Sequence, residues 1–301
     1  MTFLVFSITA VRLATHDRVP QTMALQVSGG EIQITFPAKP IKVSRQELVE
    51  WVRTAVRAVS DYYGKFPVRR YTLLIEAGNG YEVHGVTYQR KDGGFTRVTI
   101  GEEAEVSELK NDWVLTHEMI HLAFPSMAEN HHWIEEGIST YVEPIARVQA
   151  GQLSAAKMWS DVVRDMPQGE PEPGDRGLDR TDTWGRTYWG GAMFCLMADV
   201  RIREQTHNRK GLQDALRGIL NAGGNINKDW EITRAFEAGD KATGTTVLSD
   251  LYRQMRDQPA PVDLPSLWKE LGIQRKADGS VEFSSTAPKA EVREAITRPS
   301  K

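Results

Sequence analysis

His117 and His121 stand four residues apart with Glu118 beside the first, in the run His-Glu-Met-Ile-His, and Val114, Leu115, Leu122 and Phe124 around them keep helical spacing. On a helix, side chains four apart project from one face, so two imidazoles can converge on a single ion at Zn–N distances of roughly 2.0–2.1 Å. Glu118 is offset around the helix and can reach a water at the ion instead of the ion itself. Those residue types in that order suit metal-assisted hydrolysis, which needs a cation to polarise a carbonyl and a carboxylate to take a proton from water. The plain alternative is two histidines on a packed or solvated helix face, so the case depends on partners elsewhere in the chain.

Two further segments offer such partners. Trp133-Ile134-Glu135-Glu136-Gly137 opens a second helical stretch 12 residues after His121. Catalytic zinc keeps three protein ligands and leaves a fourth position open, and two histidines with a glutamate form one established set. From spacing alone either Glu135 or Glu136 can supply that carboxylate. Thr187-Tyr188-Trp189-Gly190-Gly191 heads a third apolar stretch and offers a phenol able to donate to a developing oxyanion. His131 and His132 fit a loop or cleft wall better than a ligand set, and His84 and His207 read as ordinary histidines. A metzincin is excluded, because Phe124 and Met127 stand where a glycine and a third histidine would follow the pentapeptide.

The His-Glu-x-x-His run, the later Trp-x-x-Glu-Gly and the tyrosine three residues before Gly191 together resemble the gluzincin metallopeptidases. The similarity is greatest to glycyl aminopeptidase-like enzymes and more distant to aminopeptidase N and the leukotriene-hydrolase group. It covers roughly residues 45 to 273, including Tyr188 to Thr206 and Leu251 to Ile273. The resemblance implies a thermolysin-like two-lobed α+β fold, a Zn²⁺ cofactor and a peptide substrate. It makes His117, His121 and Glu136 the metal ligands, with Glu135 the rival in register, Glu118 the general base and Tyr188 the oxyanion stabiliser. Hydrolysis of a non-peptide substrate on the same site, or a silent peptidase-like binding domain, are the alternatives it leaves.

The sequence departs from that pattern in two places. The connection between His121 and Glu136 is shorter than in the relatives, with 14 residues between them. The glycine-rich strand that reads a substrate's N-terminal amine has only a weak echo in Gly93-Gly94-Phe95-Thr96-Arg97, with no glutamate in the matching place. Peptide hydrolysis is therefore the firmer expectation and aminopeptidase specificity the weaker.

The elements that must position these groups can be read from periodicity. Alternating apolar residues around Ser28-Gly29-Gly30 predict a hairpin over residues 22 to 36. Ser44 followed by Glu47 forms a capping box at the head of a helix running to Gly64. Strands are expected at 71–77, 82–88 and 95–100, then helices at 107–124, 134–150, 187–206, 210–221 and 246–257. Met166 to Gly185, rich in Pro, Gly and acids, has no period, and its carboxylates are candidates for recognising a substrate ammonium group. A short helix over Leu264 to Leu271 and a polar tail with one strand near 280–284 complete the reading. The implied organisation is a β-rich N-lobe with the metal helix (residues 1–125), an all-helical C-lobe (126–275) and a tail (276–301), together a minimal catalytic unit.

Bulk composition is consistent with this. Of 301 residues, 40% are apolar and 26% charged, the balance of a soluble globular protein, and a net charge of −3 with no basic run gives no footprint for nucleic acid. No stretch reaches the roughly 20 apolar residues of a membrane span. The opening MTFLVFSITA is read as a first strand rather than a shortened export signal. The single Cys195, set in an apolar run, reads as a buried thiol and leaves the compartment, cytoplasmic or exported, open.

Overall fold

The structure, a computed structural model, describes residues 21–299, so the strand expected at the N-terminus lies outside the described residues. A five-stranded sheet comes first. β1 (Thr22–Val27) and β2 (Gly30–Thr35) form the expected hairpin, and β2 then pairs in parallel with β3 (Arg70–Gly78) through a crossover made by α1 (Arg45–Tyr63). Gly29, at φ +98°, makes the hairpin turn in a conformation that glycine adopts at no steric cost. Ser44 and Glu47 cap α1 reciprocally, and Leu48, Val52, Val56 and Val59 bury one stripe of it.

β4 (Val83–Arg90) and β5 (Gly93–Gly101) follow, but not in spatial sequence: the order is β1-β2-β3-β5-β4. β5 runs parallel to β3 and antiparallel to β4, so β5 is interior and, among the described residues, β4 is an edge strand. β5 accordingly buries most of its residues, whereas β4 stays half exposed.

The single helix expected over 107–124 is broken. α2 (Val106–Asn111) stops, and α3 (Val114–Ile120) starts anew before a tight turn at His121–Ala123. Asp112 is the cause, since its carboxylate accepts from the backbone N–H of Val114 and of Leu115 and so caps the second helix at the expense of the first. The indole of Trp51 on α1 donates to the same carboxylate at 3.1 Å and ties the break to the core.

α4 (His132–Gln149), α5 (Ala155–Asp165), α6 (Gly191–Thr206), α7 (Leu212–Asn221), α8 (Ile232–Thr243), α9 (Val247–Met255) and α10 (Leu264–Leu271) form the helical remainder. That remainder is not wholly helical: β6 (Ile273–Arg275) and β7 (Val281–Phe283) make a small antiparallel ribbon, followed by α11 (Ala290–Thr297) in the supposed polar tail. α5, α8 and α11 were not foreseen. One hydrophobic core runs from the sheet through these helices, and among the described residues no helix is long and apolar enough to cross a membrane.

Met166 to Gly185 is ordered by specific anchors instead of period. Asp175 pairs with Arg186 at 2.7 Å with both side chains buried, and Leu178 and Asp179 donate backbone hydrogen bonds to Met255 and Arg256.

Candidate metal centre and active site

Three elements bring the sequence-predicted residues together. α3 is buried along its whole length and presents His117 and Glu118 towards the cleft, with His121 one turn on. α4 crosses it and brings in Glu136. α6, with the wide π-helical turn Arg186–Gly190 ahead of it, brings in Tyr188. Glycines set the distance between α4 and α6: a Cβ on Gly191 would lie 2.1 Å from the Trp133 carbonyl oxygen, and one on Gly137 would lie 2.3 Å from the Gly191 carbonyl carbon. The Glu-Gly and Gly-Gly pairs in the sequence therefore mark a backbone-to-backbone contact that no larger residue permits.

One ligand atom from each of His117, His121 and Glu136 can be chosen so that all three lie within 4.8 Å of one another. His117 Nε2 stands 3.1 Å from Glu136 Oε2, and His121 Nε2 stands 3.7 Å from Glu136 Oε1. Ligands of a tetrahedral zinc, each roughly 2.0–2.2 Å from the ion, stand about 3.3 Å from one another, so this donor set fits that ion. Burial pushes the His121 imidazole down to about 4, which leaves it neutral with a free lone pair at neutral pH. Burial works to raise the Glu136 carboxyl, but hydrogen bonds from His117 and His132 outweigh it and hold the group well below the usual range. Glu135 is not part of this set; it turns to His132.

Glu118 lies beside these three donors without joining them. Its Oε2 accepts from the Thr87 hydroxyl at 2.7 Å, and Thr87 lies 2.8 Å from the Thr96 hydroxyl, so a short relay from β5 through β4 fixes the carboxylate. Burial raises its pKa, the neighbouring His117 and the Thr87 bond oppose the rise, and Glu136 adds to it. A carboxylate more basic than usual is a better proton acceptor near neutral pH. Gly85 on β4 makes room for this side chain, since a Cβ there would lie 2.6 Å from Glu118 Cγ. Burial, then the charges of Glu136 and Glu118, push the Tyr188 phenol up to about 12, so it stays a protonated donor. Its ring lies nearly parallel to that of His117, centroids 6.5 Å apart.

All of these groups face one cavity of about 460 Å³, walled on the other side by β4. The strand that echoed the amine-reading motif is not the one at this cavity. Gly93 to Arg97 lie on β5 inside the sheet, and the strand that borders the site is β4, from Val83 to Gln89. Three carboxylates of the acidic segment are engaged within the fold, while Glu172 and Asp182 stay exposed. Asp175 is spent on Arg186, Asp179 accepts from the Trp133 indole at 2.9 Å and the Tyr252 phenol at 2.7 Å, and Glu170 accepts from the Val262 backbone. These three carboxylates hold the chain in place.

Sequence reasoning missed Thr87 and Gly85, and it placed His132 only on the cleft wall. His132 Nε2 lies 3.2 Å from Glu136 Oε1 while Nδ1 lies 3.3 Å from Glu135 Oε2. Those two carboxylates raise its pKa to about 10. His131 faces Asp179 and Tyr252 and takes no part in the cluster.

No family model and no curated protein matches the sequence. Solved structures do match in fold. An aminopeptidase N family protein from Idiomarina loihiensis superposes with a TM-score of 0.63 at 13% identity, over 85% of this chain and 50% of its own. An M1 zinc metallopeptidase from Deinococcus radiodurans gives 0.52 at 14% identity, over 81% and 52%, and a two-domain form of an M1 zinc metallopeptidase bound to L-arginine gives 0.51 at 14%, over 80% and 54%. The chain spans about half the length of these structures. With sequence identity so low, what it shares with the M1 zinc metallopeptidases is the mixed α/β fold that carries the cluster of His117, His121 and Glu136.

Proposed function

We propose that this chain is a zinc-dependent peptidase with His117, His121 and Glu136 as the metal ligands, Glu118 as the general base and Tyr188 as the oxyanion donor. The observation that carries the reading is the convergence of a two-imidazole, one-carboxylate donor set, a separate buried carboxylate and a protonated phenol on one cavity. Zn²⁺ held there would polarise the scissile carbonyl and acidify water to a pKa near 7. Glu118, oriented by Thr87, accepts the proton of the attacking water and returns it to the leaving amine. Tyr188 donates its hydroxyl proton to the negative charge that develops on the carbonyl oxygen. β4, an edge strand among the described residues, runs along the cavity and offers its outer backbone groups to an extended substrate.

The test is metal content of the purified protein together with chelator-sensitive cleavage of a peptide library. Glu118→Gln should keep zinc and lose nearly all hydrolysis, His117→Ala and His121→Ala should lose the metal, and Glu136→Ala should bind it more weakly. Wild-type cleavage by the Gln variant would remove Glu118 from its role, and full zinc affinity in Glu136→Ala would remove that ligand. Comparing free with N-acetylated peptides separates an aminopeptidase, which fails on the blocked ones, from an endopeptidase.

A further inference from the structure

A second cavity, of about 560 Å³, lies next to the first and shares Trp113, His117 and Tyr188 with it as lining residues. It runs between α3, α4, α5 and the turn before α6. Its apolar wall is made by Trp113, Leu153, Met158, Val162, Trp184 and Trp189. Two of these are unusual in being left in water, Trp113 at 53% exposure and Trp184 at 60%. Trp184 stacks on Tyr188 at 5.5 Å between centroids, and Trp113 meets His117 edge-on at 5.5 Å, so the exposed rings flank the reacting centre itself. Such uncovered aromatic area at a cavity mouth is what a ligand covers on binding.

The charges in this cavity cancel. Glu143, Asp161 and Asp165 face Arg147, Lys157 and Arg164, and each is paired: Arg147 with Glu143 at 2.9 Å, Lys157 with Asp161, and Arg164 with Asp161 and Asp165 at 2.7 and 2.6 Å. A charged side chain entering would lose its hydration without meeting a free counter-ion, which selects against it. Pro144, inside α4, has no N–H to give the carbonyl of Thr140, and both residues line the cavity, so the wall has one backbone acceptor without its helical partner.

We propose that this cavity is the specificity pocket of the enzyme and takes a bulky uncharged side chain, aromatic by preference, from a residue flanking the bond that is cut. The inference rests on the peptidase reading above. Its volume is within the roughly 300–1,000 Å³ of small-molecule sites, more than a small aliphatic side chain fills. Cleavage sites in a synthetic peptide library, mapped by mass spectrometry, should show Phe, Tyr, Trp or Leu enriched at one flanking position, with Lys, Arg, Asp and Glu depleted there. Substrates with Phe at that position should exceed their Ala counterparts in kcat/KM by roughly 10–200-fold or more. Leu153→Trp, which fills the cavity, should lower that Phe-to-Ala ratio by about tenfold, and Trp184→Ala should lower it as well. No side-chain preference in the wild type, a preference for charge, or a ratio unchanged by Leu153→Trp would overturn the proposal. If the zinc-loaded protein cleaves nothing, the peptidase reading falls, and titration with N-acetyl-phenylalaninamide against N-acetyl-lysinamide still decides the pocket. Tighter binding of the phenylalanine compound upholds it, and equal or reversed affinity overturns it.

Discussion

Replacing Gly191 by alanine tests how the proposed active site is assembled. The added methyl would sit 2.1 Å from the Trp133 carbonyl oxygen and 2.7 Å from Gly137 Cα, whereas ordinary contact begins at 3.4 Å, so α4 and α6 must part by about 1.3 Å. Both obstacles are backbone, and no rotamer change relieves them. Overpacking of this kind costs about 1–3 kcal/mol. At roughly 2–4 °C per kcal/mol for a chain of this order, Tm should fall by about 2–12 °C. The three proposed metal ligands lie on α3, α4 and the turn after α3, so zinc affinity should stay within about threefold. Tyr188, one turn ahead of Gly191, moves with α6, and a displacement near 1 Å should lower kcat by about 10²-fold. Steady-state kinetics, thermal unfolding and competition with a chromogenic chelator read the three quantities. Unchanged kcat and Tm would refute the contact. A loss of zinc as large as the loss of activity would show that the strain enters α4, and Gly137→Ala, which loads the same contact from the other helix, repeats the test if Gly191→Ala fails to fold.

Other outcomes follow from the same geometry. Tyr188→Phe should cut kcat by about 10²–10³-fold with little change in KM, as loss of one oxyanion donor does, and steady-state kinetics would show it. His132→Ala removes the group that holds Glu136 Oε1 and should weaken zinc binding by about 10–100-fold, measured by chelator competition. His132→Gln, which keeps a donor, should recover most of that loss. Burial raises the pKa of Cys195 above its ordinary value, so the thiol stays protonated through neutral pH and up to at least its usual titration range. It should be inert to a disulfide-exchange reagent at pH 8 in the native protein and react once in denaturant.

Much of the site was legible because its chemistry is local. Two imidazoles four apart on an apolar helix, a carboxylate at the start of a second helix and a tyrosine ahead of a Gly-Gly pair are all short-range patterns, and the structure brings every one of them to the same cavity. Spacing alone does not choose between Glu135 and Glu136, since adjacent residues differ only in direction; the resemblance named Glu136, and it is Glu136 that lies by the two imidazoles. His132 and Glu136 repeat the four-residue spacing of His117 and His121, so that signal was present and passed over. The roles of Thr87 and β4 were not readable, because β4 precedes β5 in sequence but lies outside it in the sheet. Asp112 hid a helix break inside continuous periodicity, since a side chain that caps one helix ends another without altering the hydrophobic pattern. α8 and α11 were missed for lack of apolar residues. α11 buries Val292 and Ile296 and otherwise relies on the Arg293 guanidinium, which donates to the carbonyls of Leu271, Gly272 and Ser284.

The π-helical turn at Arg186–Gly190 makes the phenol's direction depend on chain length. Such a turn holds one residue more than an α-helical turn, and one residue of an α-helix is about 100° of rotation. Deleting a single residue between Thr183 and Gly190 would wind the segment into an ordinary helix and swing Tyr188 to another face of the cylinder. Helices α3 and α4 would not be touched. An ancestor or a laboratory variant could therefore part with the proposed oxyanion donor through one codon and keep the three proposed ligands in place, which offers a short route between the proposed hydrolase and an inert scaffold.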